Sequence, residues 1–309
     1  MYLGIEIGGT KLQVALGRGD GKLLQQWRGR VDTTRGAAGI QDQLKWVIAD
    51  MQRLALQSHS SIQAIGVGFG GPIDHTSGSI IKSHQITGWD NFPLTDWLKE
   101  ISGLPCLIGN DADVAGLGEA MHGAGRDRNP IFYITIGSGI GGGLIIDKKI
   151  YTGCGRGAAE IGHLIVDSAG HTLESQAAGW SIERTGNQRA EAGQLSEELF
   201  LISSRQGRLT CPLIAEAAAR GDRSAIEILD TAITPLAIAI RHVVCLLCPQ
   251  RIIIGGGVSL MGDVIFEPLR KRVAEHAFPP FAGLTDIVPA ELGEEVVLHG
   301  AIALASQSR

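Results

Sequence analysis

The chain has 309 residues, 44% of them hydrophobic, so it is long enough for two domains and apolar enough to form a core in each. Its formal net charge of -5 at pH 7 argues against a broad basic surface for binding nucleic acid or an anionic membrane. Five cysteines in a chain of this length do not form a disulfide scaffold, and their odd number favours a reducing compartment, the cytoplasm.

The first part of the chain alternates predicted strands and helices, which is typical of an α/β protein. These elements follow from apolar runs, helical spacing of apolar residues, and glycine or capping residues at their ends. Their order is a strand at 2–7, a Gly-Gly-Thr turn at 8–10, a strand ending at 16, a helix at about 37–56, strands at 62–69 and 105–108, and a helix from 110 or 111 to about 122.

The opening pattern returns in weaker form further along the chain. Residues 134–139 follow the same plan as residues 5–10, an apolar strand and then a glycine-rich turn, at an offset of 129 residues. A duplication of this size predicts two similar halves that face each other across a cleft. Because no linker separates the halves, we place the domain boundary after the capping residues, which gives domains at 1–112 and 113–293.

The second half continues with mostly helical sequence at 174–249, a strand at 251–254, a helix at about 263–276 and a strand near 286–288. Its most apolar stretch, 236–248, is interrupted by Arg241 and His242 and is shorter than the ~20 residues that a membrane span needs. The sequence also opens without the basic and then apolar regions of a signal peptide. We therefore expect a soluble protein with no membrane partner.

Glycine turns between strands present backbone N–H groups that form anion-binding nests. A single turn of this kind is more often a structural hairpin, but three of them after apolar strands favour a phosphate site. Thr10 and Ser138 add hydroxyl groups to the turns and Lys11 adds a cation. The candidate phosphate-binding residues are Gly8, Gly9, Thr10, Lys11, Gly137, Ser138, Gly139, Gly255, Gly256 and Gly257.

Polar residues at two other places have more than one interpretation. Asn110 and Asp111 follow a strand, where a carboxylate suits a general base for a hydroxyl, but both also suit a helix cap. Glu160, His163 and Glu174 provide the donors and acceptors that a sugar needs, although a histidine in this context is more often structural. The Glu-x-x-His spacing is not the order of a zinc protease, which disfavours a catalytic metal.

Together these segments resemble the ROK family of sugar kinases and sugar-responsive repressors, and within it the bacterial glucokinases. The resemblance covers nearly the whole chain and rests on short motifs in a fixed order. These motifs lie at 5–11, 68–74, 87–89, 110–112 with 118–119, 135–143, 160–163, 173–175, 254–257 and 300–301.

The resemblance implies an actin-like ATPase fold, of ribonuclease H-like type, in which two α/β domains close over ATP and a sugar. Residues 294–309 would form a C-terminal helix that joins the first domain. Asp111 would accept the proton of the primary 6-hydroxyl of a hexose, glucose in the first place. The sugar-binding residues would be Asn110, Glu160, His163, Glu174 and Gly71.

For the nucleotide, the resemblance implies ATP with Mg²⁺, which neutralises charge on the phosphates. The turns at 8–11 and 137–139 would hold the phosphates, and 255–257 would lie beside the adenosine. Glu6 stands where the family usually has Asp, so it would contact the metal directly or through a water. Because glutamate is one methylene longer than aspartate, its carboxylate would reach further and the geometry at the metal would change.

Other departures from the family pattern concern zinc and the backbone. Many members have a cysteine-rich loop after the Glu-x-Gly-His motif that binds structural zinc. Residues 167–172 contain no cysteine, so we expect no structural zinc. Ala159 replaces a glycine of the family and Gly70 replaces a proline.

Three alternatives stand beside the glucokinase interpretation. The first is a kinase of N-acetylmannosamine or N-acetylglucosamine, and the second is a sugar sensor without turnover. The third is a repressor, which the seven residues before Gly8 disfavour because they are too few for a helix-turn-helix arm. The expected partners are a hexose, ATP and, by the resemblance alone, a second copy of the chain in a homodimer.

Overall fold

The computed structural model describes residues 1–83 and 85–308. Arg309, the last residue of the predicted C-terminal segment, lies outside the described residues. The strands are β1 (Tyr2–Ile7), β2 (Lys11–Gly17), β3 (Leu23–Arg30), β4 (Ala64–Phe69), β5 (Ile73–Asp74), β6 (Ser79–Ile80), β7 (Cys106–Asn110), β8 (Ile131–Ile136), β9 (Ile140–Ile146), β10 (Lys149–Ile150), β11 (Arg251–Gly255) and β12 (Asp286–Pro289).

The α-helices carry the predicted alternation through the chain and confirm the expected α/β class. They are α1 (Gly36–Gln57), α2 (Leu94–Ser102), α3 (Asp111–His122), α4 (Leu173–Ala177), α5 (Gly179–Glu191), α6 (Glu197–Gln206), α7 (Cys211–Ala219), α8 (Arg223–Leu247), α9 (Asp263–Glu275) and α10 (Val296–Ser306).

The first large sheet has the strand order β3-β2-β1-β4-β7. β1 is antiparallel to β2 and parallel to β4, and β4 is parallel to β7. On one face of the sheet, Ile5 and Val14 pack in a cluster with Leu44 of α1. On the other face, Ala15 packs with Ile302 of α10. The sheet is therefore the middle layer between two helices.

The second large sheet has the strand order β10-β9-β8-β11-β12, which repeats the order of the first. Its strands β8 and β9 each begin 129 residues after β1 and β2 and have the same lengths, six and seven residues. The repeat seen in the sequence is thus a repeat of sheet topology, and each copy places a glycine turn between its first two strands.

The chain divides into two compact units. The first comprises residues 1–133, 143–159 and 291 onward, and the second comprises 134–142 and 160–290. The predicted boundary at 112/113 differs from this division, because it lies at the start of α3 and the whole of α3 belongs to the first unit. α3 and α10 pack closely there: a Cβ on Gly118 would lie 2.6 Å from the Val296 carbonyl oxygen, and one on Gly300 would overlap that of Val114.

Within the second unit, α8 begins well before the apolar stretch 236–248 that the sequence analysis singled out. It spans 25 residues, and its length and hydropathy would allow a membrane span, but 56% of its most apolar window is buried in the protein. Arg241 and His242 interrupt the apolar run without ending the helix. Buried residues such as Ile228 and Ile240 pack this helix among α4, α5, α7 and α9. These contacts make α8 the central helix of its unit.

Candidate active site

Three parallel strands of the first sheet end side by side. Ile7, the last residue of β1, is in register with Phe69 of β4, which is in register with Asn110 of β7. The residues that follow these strand ends therefore lie next to one another at the carboxyl edge of the sheet. A Cβ built on Gly70 would lie 3.3 Å from Oδ2 of Asp111 and 3.8 Å from the Cα of Gly8.

Asn110 and Asp111 form the N-terminus of α3, so the capping interpretation and the site interpretation both fit them. The Asn110 side chain accepts a hydrogen bond from the Ala112 N–H at 3.0 Å, and its amide donates to the Gly71 carbonyl at 3.0 Å. The Ala112 N–H also donates to Oδ1 of Asp111 at 2.8 Å. Asn110 thereby fixes Gly71, and a helix N-terminus is a favourable place for the charge of Asp111.

The first glycine turn connects β1 and β2. It is closed by a hydrogen bond from the Gly8 N–H to the Lys11 carbonyl at 3.0 Å. Thr10 is exposed, and any side chain on Gly9 would overlap Oε1 of Gln85. The turn is thus compact, with the Gln85 side chain lying against it.

Next to this turn lies a polar group of three residues, of which the sequence analysis identified Glu6 and Lys11 but not Gln13. Glu6 is 7% exposed, and Gln13 on the neighbouring strand is 1% exposed. Nε2 of Gln13 donates to Oε2 of Glu6 at 2.7 Å, while Nζ of Lys11 pairs with Oε1 of Glu6 at 3.2 Å. Burial raises the pKa of Glu6, and Lys11 and Gln13 oppose that shift.

Direct coordination of a metal ion by Glu6 does not fit this arrangement, and the predicted contact through a metal-bound water stays a prediction. Both carboxylate oxygens already face a donor of the protein, and the side chain is almost entirely enclosed. Among the described residues, no group of three or more His, Cys, Asp or Glu side chains is arranged to hold a metal ion. We therefore assign the Glu6 carboxylate to the hydrogen bonds of the hairpin and not to direct coordination of Mg²⁺.

The second glycine turn, in the second unit, is supported by Glu174. The Gly137 N–H donates to the Gly139 carbonyl at 2.9 Å, and Oε2 of Glu174 accepts from the Ile140 N–H at 2.8 Å. A Cβ on Gly139 would lie 2.7 Å from the same oxygen. Ser138 at the tip is exposed. One oxygen of Glu174, predicted to bind sugar, is thus engaged with the turn predicted to bind phosphate.

Glu160 immediately precedes a short 3-10 helix at Ile161–His163, and His163 is the last residue of that helix. Both are exposed, and within residues 1–83 and 85–308 neither side chain has a hydrogen bond or ion pair. Ala159 before them has a φ of 61°, in the left-handed region that favours glycine. Both side chains are therefore available to a ligand, on a backbone with an unusual conformation.

The third glycine segment follows β11. Gly255 is buried at the end of the strand, while Gly256 and Gly257 are exposed. Gly256 has a φ of 82°, and a Cβ on it would lie 2.5 Å from the Ile136 carbonyl oxygen, at the end of β8. Only glycine fits this close approach of two strand ends. A Cβ built on Gly257 would have no heavy atom of the described residues within 4 Å, its chain neighbours aside.

The segment in place of the zinc loop is a turn stabilised by Asp167. Its Oδ1 accepts from the Ala169 and His171 N–H groups at 2.9 and 3.0 Å, and its Oδ2 lies 2.7 Å from Nδ1 of His171. The His171 side-chain hydrogen bond is the main cause that lowers the pKa of Asp167. Hydrogen bonds to the Asp167 side chain therefore close the turn in this segment.

Comparison with known proteins identifies the family. The sequence profile of the ROK family matches residues 2–308. The chain belongs to the ROK family. As a ROK protein it is 30% identical to a glucokinase of Thermotoga maritima, covering 99% of this chain and 97% of that one. It is also 32% identical to a glucokinase of Halalkalibacterium halodurans, over 99% and 95% of the two chains.

Solved structures give the same assignment of the fold. A ROK family glucokinase from Streptomyces griseus, in complex with glucose and AMPPNP, matches with a TM-score of 0.81. It is 28% identical, and 99% of each chain is covered. The expected actin-like ATPase fold is thereby confirmed for this ROK protein, including the duplicated sheet order that the two large sheets share.

Proposed function

We propose that this ROK protein is an ATP-dependent hexose kinase that phosphorylates the 6-hydroxyl of glucose, with Asp111 as the general base. The observation that carries the proposal is the register of β1, β4 and β7, which brings the Asp111 carboxylate beside Gly70 and the Gly8 turn. A base for a hydroxyl and a turn for phosphate oxygens lie at one sheet edge. The resemblance to glucokinases over the whole chain supports the same activity.

In the proposed reaction, Asp111 accepts the proton as the sugar oxygen attacks the γ-phosphorus. The bond from that phosphorus to the bridging oxygen breaks, and ADP leaves with the electron pair. Mg²⁺ bound to the phosphates of ATP supplies charge neutralisation. The chain's own work is positioning: α3 holds Asp111 at its N-terminus, and Asn110 ties that end to Gly71.

For the sugar, we propose that Asn110, Gly71, Glu160, His163 and Glu174 bind the remaining hydroxyl groups. Glu160 and His163 suit this role because they are exposed and make no side-chain hydrogen bond within the described residues. Glu174 has one oxygen committed to the Ile140 N–H, so its other oxygen is the one that would accept from a hydroxyl. The glycine segments at 8–11, 137–139 and 255–257 are proposed for ATP.

The test is ADP release with ATP and Mg²⁺ across glucose, mannose, fructose, N-acetylglucosamine and N-acetylmannosamine. We expect the highest kcat/KM with glucose. If kcat/KM were highest with an N-acetyl sugar, the substrate would be an amino sugar and not glucose. Sugar binding by folded protein without turnover of any of the five would contradict the kinase and support a sensor.

We also propose a cytoplasmic location and a homodimer. The odd number of cysteines supports the reducing compartment, and all five are free thiols in the structure. The family resemblance is the support for the dimer. Light scattering of the purified protein gives the mass directly, and a monomer at micromolar concentration would contradict this part of the proposal.

A further inference from the structure

Glu6, Gln13 and Lys11 occupy one face of the hairpin formed by β1 and β2. Glu6 and Gln13 are directly opposite each other in the antiparallel register, so their side chains leave the sheet together. Lys11 lies two residues before Gln13 on the same strand and so projects from the same face, diagonally across from Glu6. The hairpin itself therefore brings these three side chains together.

The hydrogen bonds converge on the Glu6 carboxylate, one from the interior of the unit and one from its surface. Gln13, 1% exposed, donates to one oxygen of Glu6, and Lys11 pairs with the other. The Lys11 side chain is 44% exposed, and its Nζ also donates to the Glu294 carbonyl at 3.4 Å. The group thus ends in an accessible ammonium, one residue after the Gly8-Gly9-Thr10 turn.

We infer that Glu6 is a positioning residue for Lys11 rather than a metal ligand, and that Gln13 is the residue that fixes Glu6 in that role. Lys11 then presents its ammonium to the phosphates of ATP at the first glycine turn. This inference rests on the proposed use of ATP, and it deepens that proposal by naming Gln13 and by assigning the carboxylate to a lysine.

The chemistry of the three groups supports this assignment. A buried carboxylate needs hydrogen-bond donors on its oxygens, and here protein donors face both. A lysine on a long flexible stem loses side-chain entropy when it binds phosphate, and an ion pair that already restricts it reduces that cost. Without Gln13, the carboxylate could rotate away from Lys11.

The test compares Gln13→Met, Lys11→Met and the double variant with the unaltered chain. Gln13→Met keeps the size of the side chain and changes no charge. The variant and the unaltered chain therefore attract ATP equally through their net charge. Gln25→Met, an exposed change on β3 of the same sheet, is the matched control. ATP binding is measured by titration calorimetry in EDTA, which removes any contribution from a metal ion.

Gln13→Met is expected to weaken metal-free ATP binding about fivefold to tenfold, the size of a lost charge-assisted contact. In turnover it should raise the KM for ATP similarly and leave the KM for glucose within about twofold. The double variant should bind ATP no more than about twofold more weakly than Lys11→Met alone, because both changes remove one interaction. The Mg²⁺ concentration that gives half-maximal turnover should be the same for Gln13→Met and the unaltered chain.

Three results would overturn the inference. They are unchanged ATP binding in EDTA for Gln13→Met, full additivity with Lys11→Met, or an effect confined to the Mg²⁺ dependence. Thermal unfolding checks that each variant folds, and Gln13→Asn, whose amide is too short to reach Glu6, replaces Gln13→Met if that variant does not fold. Hexose phosphorylation is assayed separately, so a shift in ATP binding without turnover would contradict only the proposed function.

Discussion

At the scale of single residues, Ala159 departs from the family pattern and leaves the backbone strained. Ala159 has a φ of 61°, a conformation in which a Cβ crowds the neighbouring carbonyl group. The family resemblance places glycine at this position, so this chain retains the backbone shape without the residue best suited to it. The strained backbone leads directly into Glu160, a proposed sugar ligand.

Ala159→Gly is therefore expected to stabilise the protein. Relief of the left-handed conformation should exceed the extra entropy of the unfolded chain, for a net gain of about 1 kcal/mol in the free energy of unfolding. Urea denaturation measures it. Ala158→Gly is the matched control, because Ala158 has no positive φ and should become less stable on substitution. Equal destabilisation by both changes would contradict the argument.

Residue-level prediction from the sequence had a clear limit at this site. Asn110 and Asp111 were found because a cap and a base both need polar residues after a strand. Gln13 was missed because a glutamine in a predicted strand gives no signal until the register places it opposite Glu6. The hydrogen bond from the Ile140 N–H to Glu174 was likewise invisible, since it joins residues 34 positions apart.

At the scale of elements, α3 matters most because its N-terminus carries Asp111. Its other end is fastened by Glu119, which is fully buried and accepts hydrogen bonds from the N–H groups of Ala124, Glu291 and Leu292. Burial raises the pKa of Glu119, and these hydrogen bonds oppose the shift. The segment that precedes α10 is thereby tied to the end of α3.

The interface of α3 and α10 also contains His122 and His299, whose ring centroids are 6.3 Å apart. Burial lowers the pKa of both, and protonation of His299 lowers the pKa of His122 further. Lys148 acts in the same direction on His122, while Asp20 opposes it, and Glu295 opposes the shift of His299. Both histidines therefore bind a proton less readily in the folded protein than in the unfolded chain.

This pair predicts a loss of stability in mild acid. A histidine whose folded pKa is depressed stabilises the fold above its unfolded pKa of about 6.5, and the contribution is lost as the pH falls towards the folded pKa. The Tm should fall by a few degrees more between pH 7 and pH 5 in the unaltered chain than in the His122→Gln/His299→Gln variant. Other titrating groups contribute equally to the Tm of both proteins, so the comparison isolates the two histidines. Parallel pH profiles of Tm for the two proteins would contradict the prediction.

Element prediction succeeded where a pattern was local and failed where pairing decided the structure. β1 is a continuous apolar run, α1 has a clean apolar period and α3 begins at capping residues, and the ends of all three lie close to those predicted. β3 was missed because it is a largely exposed edge strand, with polar residues such as Gln25 and Gln26, that is stabilised by its pairing with β2. That pairing is not encoded within the segment itself.

At the scale of the whole molecule, the chain contains two five-stranded sheets with the same strand order. The repeat of residues 5–10 at 134–139 was enough to predict two related halves. The division between the units could not be predicted, because it depends on residues 143–159 and on the C-terminal segment from Glu291, which both belong with the first unit. Contacts distant in sequence, such as those of α3 with α10, decide it.

The most direct test of the proposed function is the effect of Asp111→Asn on turnover and on glucose binding. The amide keeps the shape of the carboxylate but cannot accept the proton, so kcat should fall by about 10²- to 10⁴-fold. Glucose affinity, measured by calorimetry, should change less than about threefold, and the Tm should stay within a few degrees. Asp96→Asn, an acidic residue in the first turn of α2, is the control. A kcat for Asp111→Asn within tenfold of the unaltered enzyme would contradict the assignment of Asp111 as the base.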